Sequence, residues 1–408
     1  MLVYILGVAL FALGICVSVA LHEAGHMVAA KSFGMKVRRY FVGFGPTIFS
    51  FRRGETEYGL KALPLGGFCD IAGMTALDEV TDDERPRAMY RFKTWKRTVV
   101  MAAGSFTHFL LGFIVLYLMA VTMGLPNLFG TPQVSAVSEC VQDARTNEEY
   151  RNPTCAPGAP APAREAGIRQ GDVIVSVDGQ QTPTYSDVVA KVQPLSGPVD
   201  VEVDRDGEIV PLRVNVEKVT RPVTDPENPD GPPKLVAVGS IGVSFPSTFE
   251  YTPVSAIGGS LAFTGDMLVE TWNRLLELPE RVPAVVEAIF GEERDPNTPV
   301  SVVGASRIGG EAVQEGLWEL FFFLLASLNF FVGIFNLLPL LPLDGGHIAV
   351  TWYERVRDWI RKARGKMPAG PVDYTKLSGV TMVLVVIGGA FMLLTVTADI
   401  VNPIRITE

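Results

Sequence analysis

The sequence predicts an α-helical polytopic membrane protein: four transmembrane helices and a folded region outside the bilayer. Three observations predict it. Apolar residues make up 48% of the 408 and charged residues 19%, which excludes a disordered chain and argues against a wholly soluble one. Four stretches, 2–21, 98–128, 320–343 and 377–398, contain no Asp, Glu, Lys or Arg, and each reaches the roughly 20 apolar residues that a crossing needs. The region from about 125 to 319 is too polar for lipid and long enough to fold by itself.

The first apolar run has small residues, Ser18-Val19-Ala20, of the kind a signal-peptide cleavage site uses. No Lys or Arg precedes it, so it lacks the charged leader of a secretory signal and reads as a retained span. Orientation follows from basic residues. Residues 31–97 hold thirteen Lys/Arg and residues 351–376 hold seven, more than half of the 35 in fewer than a quarter of the positions. Both loops are expected in the cytoplasm, and the N-terminus, residues 125–319 and the C-terminus outside. The net charge of −9 and pI of 5.2 disfavour a nucleic-acid partner, which would need a basic patch.

Within the outer region, residues 139–163 are rich in Pro and Ala and read as a loop. Cys140 and Cys155 lie there, on the oxidising side. A disulfide between them is expected on compartment grounds, the alternative being two free thiols. In the entropy model a loop of this length contributes about 3 kcal/mol. Next, Ala166-Gly167-Ile168-Arg169-Gln170-Gly171-Asp172-Val173-Ile174-Val175-Ser176-Val177-Asp178-Gly179 ends a β-rich run on an Asp-Gly turn, and 198–216 repeats strand, Asp-Gly turn, strand. This stretch resembles a PDZ domain, an α+β fold that binds peptides by adding a strand to a sheet edge. A domain with an empty groove and a purely steric role is the alternative. Residues 221–250 are Pro-rich and read as a linker, 254–290 have helical spacing, and 299–310, apolar and glycine-rich, are expected on the membrane surface.

His22-Glu23-Ala24-Gly25-His26 follows the first apolar run. On a helix His22 and His26 share one face, so two imidazoles one turn apart can hold one Zn²⁺, with Glu23 beside it as proton acceptor. An acid at the centre of a span costs about 2.5–3.5 kcal/mol, which makes it a functional residue by default. A catalytic zinc needs a third protein ligand. The third run ends Asn336-Leu337-Leu338-Pro339-Leu340-Leu341-Pro342-Leu343-Asp344-Gly345-Gly346-His347. Spacing leaves Asp344 and His347 even as that ligand. His108 reads as a packing or polar-contact residue of the second span.

HEAGH on the first span with Asn-x-x-Pro-x-x-x-Leu-Asp-Gly-Gly on a later one resembles the site-2 protease family of intramembrane zinc metalloproteases. The resemblance runs along the chain. Val42-Gly43-Phe44-Gly45-Pro46 matches the family's GFGP element, and residues 56–67 resemble its membrane-re-entrant β-hairpin. The PDZ-like stretch sits between spans two and three, as in the bacterial anti-sigma-factor-cleaving branch. Arg38-Arg39-Tyr40-Phe41, Leu340-Leu341-Pro342 and the tail from 395 to 404 are most similar to actinobacterial members. The resemblance implies His22, His26 and Asp344 as ligands of one zinc per chain, Glu23 as catalytic base, and Asn336 as a substrate contact. It implies that a hairpin edge at Gly59, Leu60, Lys61 and Ala62 receives an extended substrate. It also implies single-span substrates, such as anti-sigma factors after a first extracytoplasmic cut, in a multi-pass plasma-membrane protein with its zinc toward the cytoplasm. One departure stands out. Where the family has Ala-Gly-Pro followed by Asn, this chain has Ala103-Gly104-Ser105-Phe106-Thr107-His108.

The expected organisation is span one with the zinc motif, 1–30; a cytoplasmic loop, 31–97, with the hairpin at about 50–70; span two, 98–128; the PDZ-like domain, 129–220; a linker and amphipathic surface segment, 221–319; span three with the Leu-Asp-Gly-Gly motif, 320–350; a basic cytoplasmic loop, 351–376; span four, 377–400; and a tail, 401–408. Two other functions fit these residues less well. An adaptor with a dead protease site would not need four intact site residues, and a metal transporter would need ionisable groups along several spans rather than at two span ends.

Overall fold

The computed structural model describes residues 1–75, 78–146, 149, 154–223 and 234–406. The chain divides into two compact units, Met1–Met123 with Tyr251–Glu408, and Gly124–Glu250.

In the first unit four helices are long and apolar enough to cross a membrane: α1 (Leu2–Ser32), α2 (Thr94–Thr122), α6 (Trp318–Asn336) and α8 (Ser378–Val401). This is the helical content of a polytopic membrane protein. α1 has 31 residues, about 46 Å at 1.5 Å per residue, so its last two turns extend well past its uncharged run. Between α1 and α2 the chain forms two long strands, β1 (Val37–Arg53) and β2 (Thr56–Ile71). They pair antiparallel from Arg53–Thr56 back to Val37–Ile71, and residues 39–42 also lie beside 57–60. The hairpin is thus folded over on itself, and its four segments run side by side in the order 67–71, 37–44, 56–61, 47–53. Tyr40 donates to the Ala20 carbonyl at 2.7 Å and Lys31 to the Tyr58 hydroxyl at 2.6 Å, which ties the sheet to α1.

The second unit is built on β3 (Val173–Val177), β4 (Gln180–Gln181), helix α3 (Tyr185–Val192), β5 (Gly197–Arg205), β6 (Glu208–Val223) and β7 (Lys234–Ser240). The sheet order is β4-β3-β5-β6-β7. Alternate residues Val199, Val201 and Val203 of β5 are buried and pack with Ile174, Val177 and Val188, the period of two that a half-buried strand requires. Thr184 caps α3 by accepting from the Asp187 amide, and the Asp187 carboxylate accepts from the Thr184 amide in return. Cys140 and Cys155 form a disulfide.

Three stretches differ from their sequence reading. Residues 221–250, read as a linker, close the second unit: β7 pairs with β6 from Glu217–Ser240 to Val223–Lys234, and 243–244 and 248–249 pair with 136–137 and 125–126. Positions 224–233 lie outside the described residues. Proline content masked the strands on either side. Residues 299–310, expected on the membrane surface, enter helix α5 (Val302–Gln314), which follows α4 (Ser255–Ile289). Its Gly309, Gly310 and Ala312 are buried against α1, where Phe11 is fully buried. A Cβ on Gly7 would stand 2.9 Å from the Gly310 Cα, so the glycines let two helices touch backbone to backbone. The third apolar run is not one helix. α6 stops at Asn336, and a new helix, α7 (Asp344–Ala363), takes up much of the predicted basic loop. Pro339 and Pro342 lie in the break, where a continuing helix would lose two backbone donors.

Candidate metalloprotease site

The site is assembled by α1, α2, the β1–β2 sheet and the start of α7. One turn apart on α1, His22 and His26 are both buried, with their Nε2 atoms 3.1 Å apart. Asp344 Oδ2 lies 3.3 Å from each. No other set of three such side chains gathers so closely among the described residues. A tetrahedral ion with bonds of about 2.0–2.1 Å spaces its ligands about 3.3 Å apart, so these donors fit the edges of a single coordination site. Asp344 Oδ2 is buried with no hydrogen-bond donor. A buried carboxylate oxygen aimed at two imidazole nitrogens is an expensive arrangement unless a cation sits between them.

Outer contacts orient these side chains. His26 Nδ1 lies 2.8 Å from the Val100 carbonyl of α2. Donating there fixes the tautomer and leaves Nε2 bare, as a metal-ligating histidine requires. Gly104 of α2 lies against both imidazoles. Glu23, half-buried, faces the outermost segment of the folded hairpin, where a Cβ on Gly67 would come within 3.1 Å of Glu23 Cγ. Away from the spans, Arg38 of β1 binds Glu84 at 2.6 Å and Asp78 at 2.9 Å. Its guanidinium holds the Glu84 carboxyl below the ordinary range, and the pair fastens the loop after β2 to the base of the sheet.

The remaining candidates fall as follows. His347, the rival third ligand, lies outside the cluster, its Nδ1 3.4 Å from the Tyr374 hydroxyl. Asn336 is the last residue of α6, half-buried, with no side-chain hydrogen bond among the described residues. The edge expected at Gly59, Leu60, Lys61 and Ala62 needs correction at its first two positions. Gly59 is flanked by Phe41 and Ser50, Leu60 by Val42 and Phe49, and Lys61 pairs with Thr47. The fold-over of the hairpin therefore puts Gly59 and Leu60 inside the sheet, while its unpaired edges are 67–71 and 47–53.

Sequence reasoning missed two contributors. Gly104 carries no chemistry of its own, and its only signal is the Ala-Gly that positions 103 and 104 share with the family motif. Asn329 of α6 meets His108 Nδ1 with its Oδ1 at 2.9 Å and gives its amide to the Leu325 carbonyl. This holds the His108 ring 5.0 Å from that of His22, so the residue read as a packing or polar-contact histidine makes a polar contact and borders the His22–His26–Asp344 cluster.

This site on a helical membrane framework defines a metallopeptidase. The chain belongs to peptidase family M50, the site-2 protease family, whose profile matches residues 10–378. Among its relatives, zinc metalloprotease Rip1 of Mycolicibacterium smegmatis is 49% identical over 409 residues, 99% of each chain. Zinc metalloprotease Rip1 of Mycobacterium tuberculosis H37Rv is 47% identical over 407 residues, all of both chains. Metalloprotease MmpA of Caulobacter vibrioides is 29% identical over 381 residues, 85% of each.

Proposed function

We propose that this chain hydrolyses peptide bonds within or near the transmembrane segment of single-span membrane proteins, anti-sigma factors foremost, after a first cut outside the membrane. As a member of family M50 it is a zinc metalloendopeptidase. The observation that carries the reading is the convergence of His22, His26 and Asp344 on one point, with Glu23 next to it and a strand edge facing Glu23.

His22, His26 and Asp344 would hold one zinc ion per chain. Bound there, zinc supplies Lewis acidity to a peptide carbonyl and to an attacking water. Glu23 takes the proton from that water and returns it to the leaving nitrogen. A helical substrate hides its carbonyls in i→i−4 bonds and has to unwind first. The edge at 67–71 offers replacement backbone bonds to the unwound strand, and the free amide of Asn336 is suited to fixing it. We read the second unit as a PDZ domain outside the membrane that filters substrates by the size of their outer tail. The zinc lies toward the cytoplasmic side of the plasma membrane, an orientation supported by the basic loops at 31–97 and 351–376.

The test is cleavage, by purified full-length protein in detergent, of a single-span anti-sigma factor supplied both intact and with its outer domain removed. Cleavage of the trimmed form within its span, abolished by Glu23→Gln, is expected. Equal cleavage of both forms would contradict the filter, and cleavage by the Glu23→Gln protein would contradict the base.

A further inference from the structure

We propose that α7 lies in the cytoplasmic interface of the bilayer, its apolar stripe in the acyl boundary and its basic flanks on anionic headgroups, so that the lipid surface helps set the position of Asp344. The inference rests on the membrane orientation read above.

α7 turns one side to the protein. There Thr351 is buried, and Glu354 pairs with Arg97 of α2 at 3.0 Å. The other side is uncovered and apolar: Trp352 is 48% exposed, Tyr353 60%, Val356 50%, Trp359 68% and Ile360 38%. At 3.6 residues per turn these five occupy an arc of about 120°. Arg355 and Lys362 border the arc on one edge, Arg357 and Arg364 on the other. Arg357 is paired with Asp358, but among the described residues no carboxylate pairs with Arg355, Lys362, Arg364 or Lys366.

An apolar stripe rich in tryptophan between basic edges suits a helix lying flat in an interface: rings settle at headgroup depth, and basic side chains reach outward to phosphates. Two features favour lipid over a protein. A second copy of this chain would bring the same unpaired cations against these, whereas an anionic leaflet complements them. α7 is also held at membrane level at both ends, beginning directly after the break that follows α6 and ending fifteen residues before α8 starts at Ser378. Trp95, 50% exposed at the start of α2, marks the same level on the neighbouring span.

The link to the site is covalent. Asp344 is the first residue of α7. Gly345 and Gly346 lie so close to the backbone of Leu337, Leu338, Leu340 and Leu341 that neither admits a Cβ. A displacement of α7 therefore shifts Asp344 against His22 and His26.

The test places a nitroxide on a cysteine at Val356 or at Arg361 of full-length protein, with Cys16 and Cys69 replaced by serine, in phosphatidylglycerol-containing vesicles. Relaxation by oxygen against a water-soluble nickel chelate reads depth. The label at 356 is expected about 5–10 Å below the headgroups and the label at 361 in water. Equal nickel access at both positions, or a 356 label shielded from both reagents as in a protein contact, would overturn the proposal. A second arm compares cleavage in phosphatidylglycerol-containing and pure phosphatidylcholine vesicles. Several-fold faster cleavage with the anionic lipid is expected, with the difference lost in Arg355→Gln/Lys362→Gln at unchanged metal content. No lipid dependence in the unaltered protein would overturn the link to Asp344. The expected depth, with the unaltered protein of the second arm cleaving nothing, would support the interfacial helix while counting against the protease reading.

Discussion

Gly104 of α2 lies directly against His22 of α1: a side-chain carbon added there would stand 2.7 Å from His22 Nε2, and it would press on the His26 ring as well. Gly104→Ala should therefore displace both imidazoles and lower metal affinity and cleavage by about 10–100-fold, the range found when the surroundings of metal ligands are altered. Gly258→Ala, at a helical position with open space around it, is the control and should leave both unchanged. Metal analysis and cleavage of one substrate, measured side by side, check the pair.

The roles within the site are separable. Glu23→Gln should keep zinc and lose cleavage by at least about 10²–10⁴-fold, the usual contribution of a positioned acid-base group. His22→Ala and Asp344→Ala should lose metal and cleavage together. His347→Ala, outside the cluster, should retain its metal. Metal-free Glu23→Gln protein would refute this division.

Proline removes a backbone donor, so it distinguishes the two accounts of the hairpin. At Leu60, flanked on both sides, proline should disrupt the sheet and lower the yield of folded protein. Along the outer segment, at Phe68, Cys69 and Asp70, only those positions whose N–H points away from β1 should lose cleavage while metal and folding hold. Uniform, near-normal cleavage across the three would exclude strand addition at this edge.

Part of the acid sensitivity of the second unit should have a defined origin. Asp172, 1% exposed, accepts two hydrogen bonds at 2.8 Å from Arg205 and one from the Arg169 amide. The Arg205 guanidinium holds its carboxyl below the usual range. The stabilisation is present above the unfolded value of about 3.9 and disappears as pH falls through the lower folded value. Asp172→Asn should remove the charge pair, destabilise the unit, and reduce the slope of its stability profile below pH ~4, leaving the slope contributed by Asp143 and Asp187, whose carboxyls are also held below the usual range. Hydrogen exchange of full-length protein, followed in peptides from this unit, reads both effects.

Orientation has its own test. A cysteine replacing exposed Glu208 should react with a membrane-impermeant thiol reagent added to intact cells, and one replacing Lys366 should react only after lysis. The opposite pattern would invert the positive-inside assignment and put α7 on the other leaflet.

Much of the site was legible in the residue order because its chemistry is local. His22, Glu23 and His26 sit within one helical turn, so their spacing alone brings two imidazoles together. Asp344 was harder. From the residues it stood level with His347, three positions on, and only the family resemblance favoured it. The structure separates them by where α7 begins: its first residue reaches α1, while the next turn points toward Tyr374.

Four uncharged runs and the bias of basic residues were enough for the helical membrane class, since the cost of charge in lipid is a property of composition. Which hairpin segment has a free edge, how the glycines of α5 admit α1, and why a glycine stands at 104 were decided by tertiary structure. Each depends on the approach of backbones far apart in sequence. The folded hairpin shows the reason plainly. Alternation and turn residues foretell a pair of strands, but the pairing of Tyr40 with both Tyr58 and Cys69 exists only once the hairpin has bent over itself, and that bend is what moves the open edge from Leu60 to the segment beside Glu23.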